Sequence, residues 1–263
     1  MDDVEEKTPG QSGLHRRDWI AGLDRGLAIL EAFNRERPRL TATEVARATG
    51  LTRSAARRYL LTLEHLGYLS SDGKQFGLTP RVLKIGWSYF DSATLPTLLR
   101  PYLQRITAGT GESAYASVID GGDVVFIARN VSNRVMASAF ALGARTPAQL
   151  AVAGIVLLSF AAQETLRDWL GQVLLVPTSV HTILDKDLLL NEIEQVRHRG
   201  YALLEQQQQV GVRGIGVPLL NRDGKAVAAL SVSMPMGKES AGEAVARILP
   251  VLQEVANSLI SVL

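Results

Sequence analysis

The chain has 263 residues, 46% of them hydrophobic, and a formal net charge of +2; that is apolar content for a packed core in one or two domains, and too much for a disordered chain. With no cysteine at all, disulfides, thiolate metal sites and cysteine nucleophiles are excluded, and a reducing cytoplasm fits. The longest apolar run, residues 150–162, is too short to cross a bilayer and the acidic N-terminus is unlike a secretory leader, so a soluble cytoplasmic protein with no membrane partner is expected.

Charge is distributed unevenly. Residues 1–13 carry one basic and four acidic side chains, residues 14–90 thirteen Lys/Arg against seven Asp/Glu, and residues 91–263 fourteen against fifteen. Positive charge is concentrated in the first third, as a nucleic-acid-binding segment requires.

Residues 1–17 lack apolar periodicity and read as a flexible tail. Leu23, Leu27, Leu30 and Phe33 then recur on one face of a supporting helix that also carries Arg25, and Pro38 ends the connection that follows. Residues 41–66 read as two short helices around a tight turn. Thr41 and Glu44 form a capping box, Val45 and Ala46 supply an apolar face, and Gly50 closes the first helix through a positive φ. Thr52 caps the second helix. Ala56, Tyr59, Leu60, Leu63 and Leu66 share its inner face, leaving Arg53, Ser54, Arg57, Arg58 and Leu61 on the other. Such a face is either a solvated basic surface or a recognition surface. The paired helix, the glycine turn and the caps in register favour recognition, with arginine forks available to guanine edges and phosphates. Two short apolar-alternating runs flank Asp72-Gly73, a hairpin signal with Lys74 at its tip. A hairpin directly after a recognition helix is the wing of a winged helix-turn-helix, over residues 18–80.

Pro80 opens the next helix in its first turn. Val82, Leu83, Ile85, Gly86, Trp87, Tyr89 and Phe90 make it apolar almost all round. A linker helix over residues 81–98, buried against a second subunit, is expected, with Pro96 and Pro101 marking a boundary and a helix over residues 99–108 opening the last domain. Residues 99–263 read as α+β. A hairpin spans residues 113–130, a third strand residues 134–142, and a loop Gly143-Ala144-Arg145-Thr146-Pro147. Helices follow at residues 152–160, 163–170 and 186–199, strands at residues 201–206, 214–220 and 226–233, and a closing helix at residues 244–263. Strands in hairpins with helices on their faces make an antiparallel sheet. Ser231 and Ser233 lie on one face of their strand. That face is either solvent or a concave apolar site where two hydroxyls orient a small carboxylate or phenol. Arg145 either adds charge to such a site or lies exposed in its loop.

Leu23-Asp24-Arg25-Gly26-Leu27-Ala28-Ile29-Leu30, the helix pair, the wing, Gly143-Ala144-Arg145-Thr146-Pro147 and Gly211-Val212-Arg213-Gly214-Ile215-Gly216-Val217-Pro218 together resemble the IclR-type transcriptional regulators, in order from about residue 19 to the C-terminus. Asp91-Ser92-Ala93-Thr94-Leu95-Pro96 and Asp123-Val124-Val125-Phe126-Ile127-Ala128-Arg129 are similar to the Pca/Pob group, which activates operons for degrading 4-hydroxybenzoate, protocatechuate and β-ketoadipate. The resemblance implies a winged-helix domain, a linker helix, and an effector domain built on a curved antiparallel sheet flanked by helices. It also implies double-stranded operator DNA with inverted half-sites, homodimers that pair into tetramers, RNA polymerase as partner of an activator, and a small carboxylic acid effector such as 4-hydroxybenzoate or protocatechuate. Its effector pocket matches Val152, Ala153, Leu204, Val212, Gly214, Ser231 and Ser233 here. Gln149 stands where the family often has His.

Two other readings compete: a repressor of the same family responding to a non-aromatic metabolite, and an enzyme fused to a DNA-binding domain. The second lacks chemistry. Gly211 to Gly216 has no Gly-Lys-Ser/Thr ending, the four histidines have no metal-ligand spacing, and no Gly-x-Ser-x-Gly elbow occurs. Glu192 and Glu194 read as a solvated helix face, and Glu205 to Gln209 as a polar turn. No metal or cofactor is expected.

Overall fold

A computed structural model describes residue 15, residues 18–132 and residues 140–263. The chain divides into two compact units with the boundary between Tyr89 and Phe90.

In the first unit α1 (Ala21–Glu31), α2 (Ala42–Thr49) and α3 (Arg53–His65) pack around Ile29, Phe33, Val45, Ala56, Leu60, Leu69 and Phe76. The Thr41 N–H donates to Glu44 Oε2 at 2.7 Å and the Glu44 N–H returns to Thr41 Oγ1 at 3.3 Å, closing the capping box of α2. Gly50 ends α2 at φ 68°, and the Ala55 N–H donates to Thr52 Oγ1 at 3.2 Å to start α3. The three-stranded wing sheet has the order β1 (Arg39–Leu40), β3 (Phe76–Leu78), β2 (Leu69–Ser71), antiparallel throughout. Nothing in the two residues of β1 announces a strand; the segment is extended before Thr41 and is paired by β3.

One stripe differs from expectation. Leu23 and Leu27 are 62% and 46% exposed, whereas Ile29 is fully buried. The packed side of α1 is carried by Ile29 with Leu30, which counting leucines at the start of the helix overlooks.

A 3-10 turn (Pro80–Val82) leads into α4 (Leu83–Ser92), and α5 (Thr94–Thr110) follows after extended Ala93. The expected continuous linker over residues 81–98 is therefore broken at Ala93, and Pro96 and Pro101, read as marking a boundary, both lie inside α5. Pro96 has no N–H for the Ser92 carbonyl and its ring would crowd that oxygen; the helix restarts so that Pro96 falls in a first turn, where no donor is needed.

The second unit is a six-stranded antiparallel sheet in the order β6 (Arg145–Pro147), β5 (Asp123–Asn130), β4 (Ser113–Asp120), β9 (Ala226–Pro235), β8 (Val212–Leu220), β7 (Ala202–Glu205). The predicted loop Gly143 to Pro147 thus ends as an edge strand on β5, its three residues too few to show alternation. The expected strand over residues 134–142 falls largely outside the described residues. One face of the sheet carries Ala114, Ala116, Leu230 and Val232 beneath α5 and α9 (Ala241–Leu259). The alternate side chains, Tyr115 and Ala229 among them, face α6 (Val152–Ser159) and α8 (Lys186–Arg199). The remaining helix, α7 (Gln163–Gln172), buries Leu166 against that second core. Gly154 seats α6: an added Cβ would stand 2.1 Å from the Ala148 carbonyl oxygen.

Candidate functional site: a basic helix face and a ligand cavity

In the first unit α3 buries Ala56 and Leu60 and exposes Arg53, Ser54, Arg57 and Arg58. Thr52 caps the start of this helix, where backbone dipoles add positive potential. Thr41 Oγ1 donates to Glu44 as well as accepting from it, so that hydroxyl is occupied by the cap. Arg25 is exposed on α1.

The wing turn is organised by Asp72. Its Oδ1 accepts from the N–H groups of Lys74 at 3.0 Å and Gln75 at 2.8 Å, while Oδ2 pairs with Arg39 Nη2 at 3.0 Å. The backbone donors at Gln75 and Lys74 hold its carboxyl below the ordinary range. Gly73, at φ 93°, completes the bend and leaves Lys74 exposed. The exposed groups are three arginines on one helix face and a lysine on a hairpin tip, a pattern suited to base edges and phosphates of a duplex.

In the second unit a cavity of ≈ 290 Å³ opens between the sheet and the start of α6, near the lower end of the ~300–1,000 Å³ of small-molecule sites. Val152, Ala153, Leu204, Val212, Gly214, Ser231 and Ser233 all line it. Ser233 pairs across the strands with Gly214, and Ser231 with Gly216. Gly214 in particular matters through what it lacks. A Cβ on Gly214 would lie 3.0 Å from Val152 Cγ1, and one on Gly216 3.4 Å from Val152 Cγ2. Arg145 is elsewhere. Its Nη1 and Nε bind Asp120 at 2.6 Å and Asp123 at 3.0 Å, it does not line the cavity, and those carboxylates raise its already high pKa. The arginine is consumed by the strand turn beside it.

Several lining residues were not foreseen. Tyr115, Phe126 and Phe140 form an aromatic wall: Phe126 and Phe140 stack at 4.3 Å, and Tyr115 meets them edge-on at 5.5 and 5.7 Å. Tyr115 is 1% exposed, and burial pushes its phenol up from the ordinary value against smaller opposing effects of Ser113, Phe140 and Arg129. Gln206, Gln207, Gln208 and Gln209 line the opening. They are more than a polar turn, because Gln207 Nε2 donates to the His181 carbonyl while its Oε1 accepts from the Ile183 N–H, tying two loops together. Gln149 Nε2 donates to the Leu174 carbonyl at 3.3 Å. Among the described lining residues none is ionised at neutral pH.

A winged-helix unit with a basic face, joined in one chain to a sheet unit enclosing a small cavity with an aromatic wall, defines a DNA-binding regulator with its own ligand-sensing domain. Family models agree in both halves: the IclR helix-turn-helix domain matches residues 22–73, and the C-terminal domain of the bacterial transcriptional regulator IclR matches residues 87–261. The chain belongs to the IclR family of bacterial transcriptional regulators. It is 38% identical to the p-hydroxybenzoate hydroxylase transcriptional activator of Acinetobacter baylyi, over 94% of this chain and 93% of that protein. It is 35% identical to the Pca operon regulatory protein of the same organism, over 95% and 91%. The inducer-binding domain of an Acinetobacter PobR double mutant, in complex with 3-hydroxybenzoic acid, superposes with a TM-score of 0.61 at 30% identity, over 65% of this chain and all of that one.

Proposed function

We propose that this protein is a sequence-specific activator of an aromatic-acid degradation operon, switched by a small aromatic carboxylic acid such as 4-hydroxybenzoate or protocatechuate. The carrying observation is the chemistry of the cavity: an aromatic wall at one side, two serine hydroxyls on the sheet floor, and, among the described lining residues, no ionised side chain. An aromatic ring suits the wall, and a carboxylate suits the serines together with the N-terminal end of α6 at Ala151, Val152 and Ala153. The kinship with regulators named for p-hydroxybenzoate and the Pca operon supports the same class of ligand. A non-aromatic metabolite would leave the stacked phenylalanines without a partner. Among the described lining residues the serines have no histidine or carboxylate beside them, which favours binding over turnover.

On this reading the protein works in the cytoplasm as a homodimer or tetramer on inverted half-sites. Arg53, Ser54, Arg57 and Arg58 enter the major groove, with Arg25, Thr41, Thr52 and Lys74 near the backbone. Effector binding then changes how RNA polymerase is recruited, because the acid prefers one arrangement of the DNA-binding heads. Calorimetric titration of the full chain with both acids tests the ligand class. Saturable one-site binding of either is expected, and heat-silent titrations without any thermal stabilisation would remove the aromatic reading.

A further inference from the structure

Tyr115 presents a group that its own fold leaves unanswered. The residue is 1% exposed and lines the cavity, and although the Ser113 side chain and the Phe140 backbone lie near its Oη, among the described residues no group meets that oxygen in hydrogen-bond geometry. A buried hydroxyl without a partner is a standing cost in the empty protein, because it has left water and gained nothing. A phenylalanine would fill the same space without that cost. The hydroxyl therefore asks for a partner from the cavity.

The surroundings decide which partner. Tyr115 pairs across the strands with Ser231, so the two side chains rise from the same face of the sheet. The tyrosine ring leans among Phe126 and Phe140, both edge-on to it. A full negative charge among these rings, with one phenol as donor, would be poorly solvated. The serines and the beginning of α6 offer several donors in one place and suit the carboxylate better. What fits a single, amphoteric O–H at the aromatic side is a neutral hydroxyl, which donates and accepts in turn. Burial also keeps the Tyr115 phenol protonated.

We infer that Tyr115 is the specificity-determining residue of the cavity, reading a hydroxyl substituent on the ring of the aromatic acid and so separating hydroxybenzoates from benzoate. The inference rests on the aromatic-acid reading above. A site built to bond a ligand hydroxyl rejects the analogue that lacks it, since its own polar group is then stranded.

The test is calorimetry of the full-length protein and Tyr115→Phe with benzoate, 3-hydroxybenzoate and 4-hydroxybenzoate. Wild type should bind one hydroxybenzoate at least about tenfold tighter than benzoate, the ratio that one well-made hydrogen bond supplies. Tyr115→Phe should weaken that hydroxybenzoate by about 10- to 100-fold and leave benzoate within about twofold. The apo melting temperature of the variant should equal or exceed wild type, which separates loss of recognition from loss of fold. Equal weakening of all three acids, or none, would overturn the assignment to the ring hydroxyl, as would a wild type that binds benzoate as tightly as both hydroxybenzoates. If wild type binds none of the three and does not bind protocatechuate either, the aromatic reading falls and this inference with it; equal binding of all three sinks the Tyr115 assignment alone.

Discussion

Val152 rests on Gly214: the first residue of α6 occupies the space in which any side chain on that β8 residue would stand, with Val152 Cγ1 3.0 Å from the position of an added Cβ. Both residues line the cavity. Gly214→Ala should therefore push α6 away from the sheet, costing about 1–3 kcal/mol as overpacking does. Thermal denaturation should show the loss, and ligand affinity should change with it. A variant as stable as wild type, with unchanged affinity, would show that α6 moves aside freely.

Ser231 and Ser233 carry the next expectation. Replacing both by alanine removes two hydroxyls from the cavity floor while β9 keeps its backbone pairing with β4 and β8. Each hydrogen bond to a charged group is worth about 1.5–3 kcal/mol, so affinity for the aromatic acid should fall at least tenfold by calorimetry. Apo stability and operator binding should stay near wild type. Equal affinity in both proteins would take the serines out of the site.

For the DNA face, Arg57→Ala should cost about 1–3 kcal/mol if its fork reads a guanine, and relax preference at one position of each half-site. Lys74→Ala should weaken all sequences alike and lower the salt slope by about one unit. Fluorescence anisotropy on the operator and on scrambled DNA, across a salt series, separates the two. Unchanged operator affinity in Arg57→Ala would remove that residue from readout.

Assembly gives a fourth expectation. Leu83, Ile85, Trp87 and Tyr89 of α4 are 63%, 48%, 56% and 46% exposed in the single chain. So much apolar surface on one short helix is better covered by a second copy, and the full chain should sediment as a dimer or tetramer at micromolar concentration. A stable monomer would contradict this.

Much of the first unit was legible because its signals are local. Thr41 with Glu44, Gly50, Thr52 and Asp72-Gly73 each fix a few bonds between near neighbours, and each forms as read. Where packing depends on distant partners, the sequence misleads: Leu23 and Leu27 repeat like core residues yet lie exposed, while β1 exists only because β3 pairs with it. The cavity follows the same logic. Period-two alternation puts Ser231 and Ser233 on one face, but pairing between β9 and β4, far apart in the chain, brings Tyr115 beside them. Arg145 looked available in its loop; Asp120 and Asp123, reached through the β5–β6 pairing, claim it.

In the proposed function, occupancy of the cavity governs what the basic face does at a promoter. The direct measurement is transcription in vitro from a genomic fragment that the protein itself selects, with purified RNA polymerase, as 4-hydroxybenzoate or protocatechuate is titrated. Transcript should rise with one of these acids, over a range set by an allosteric coupling of about 1–3 kcal/mol, and the Ser231→Ala, Ser233→Ala double variant should need at least tenfold more acid. Transcript that is indifferent to both acids, while the protein stays bound to the fragment, would contradict the claim.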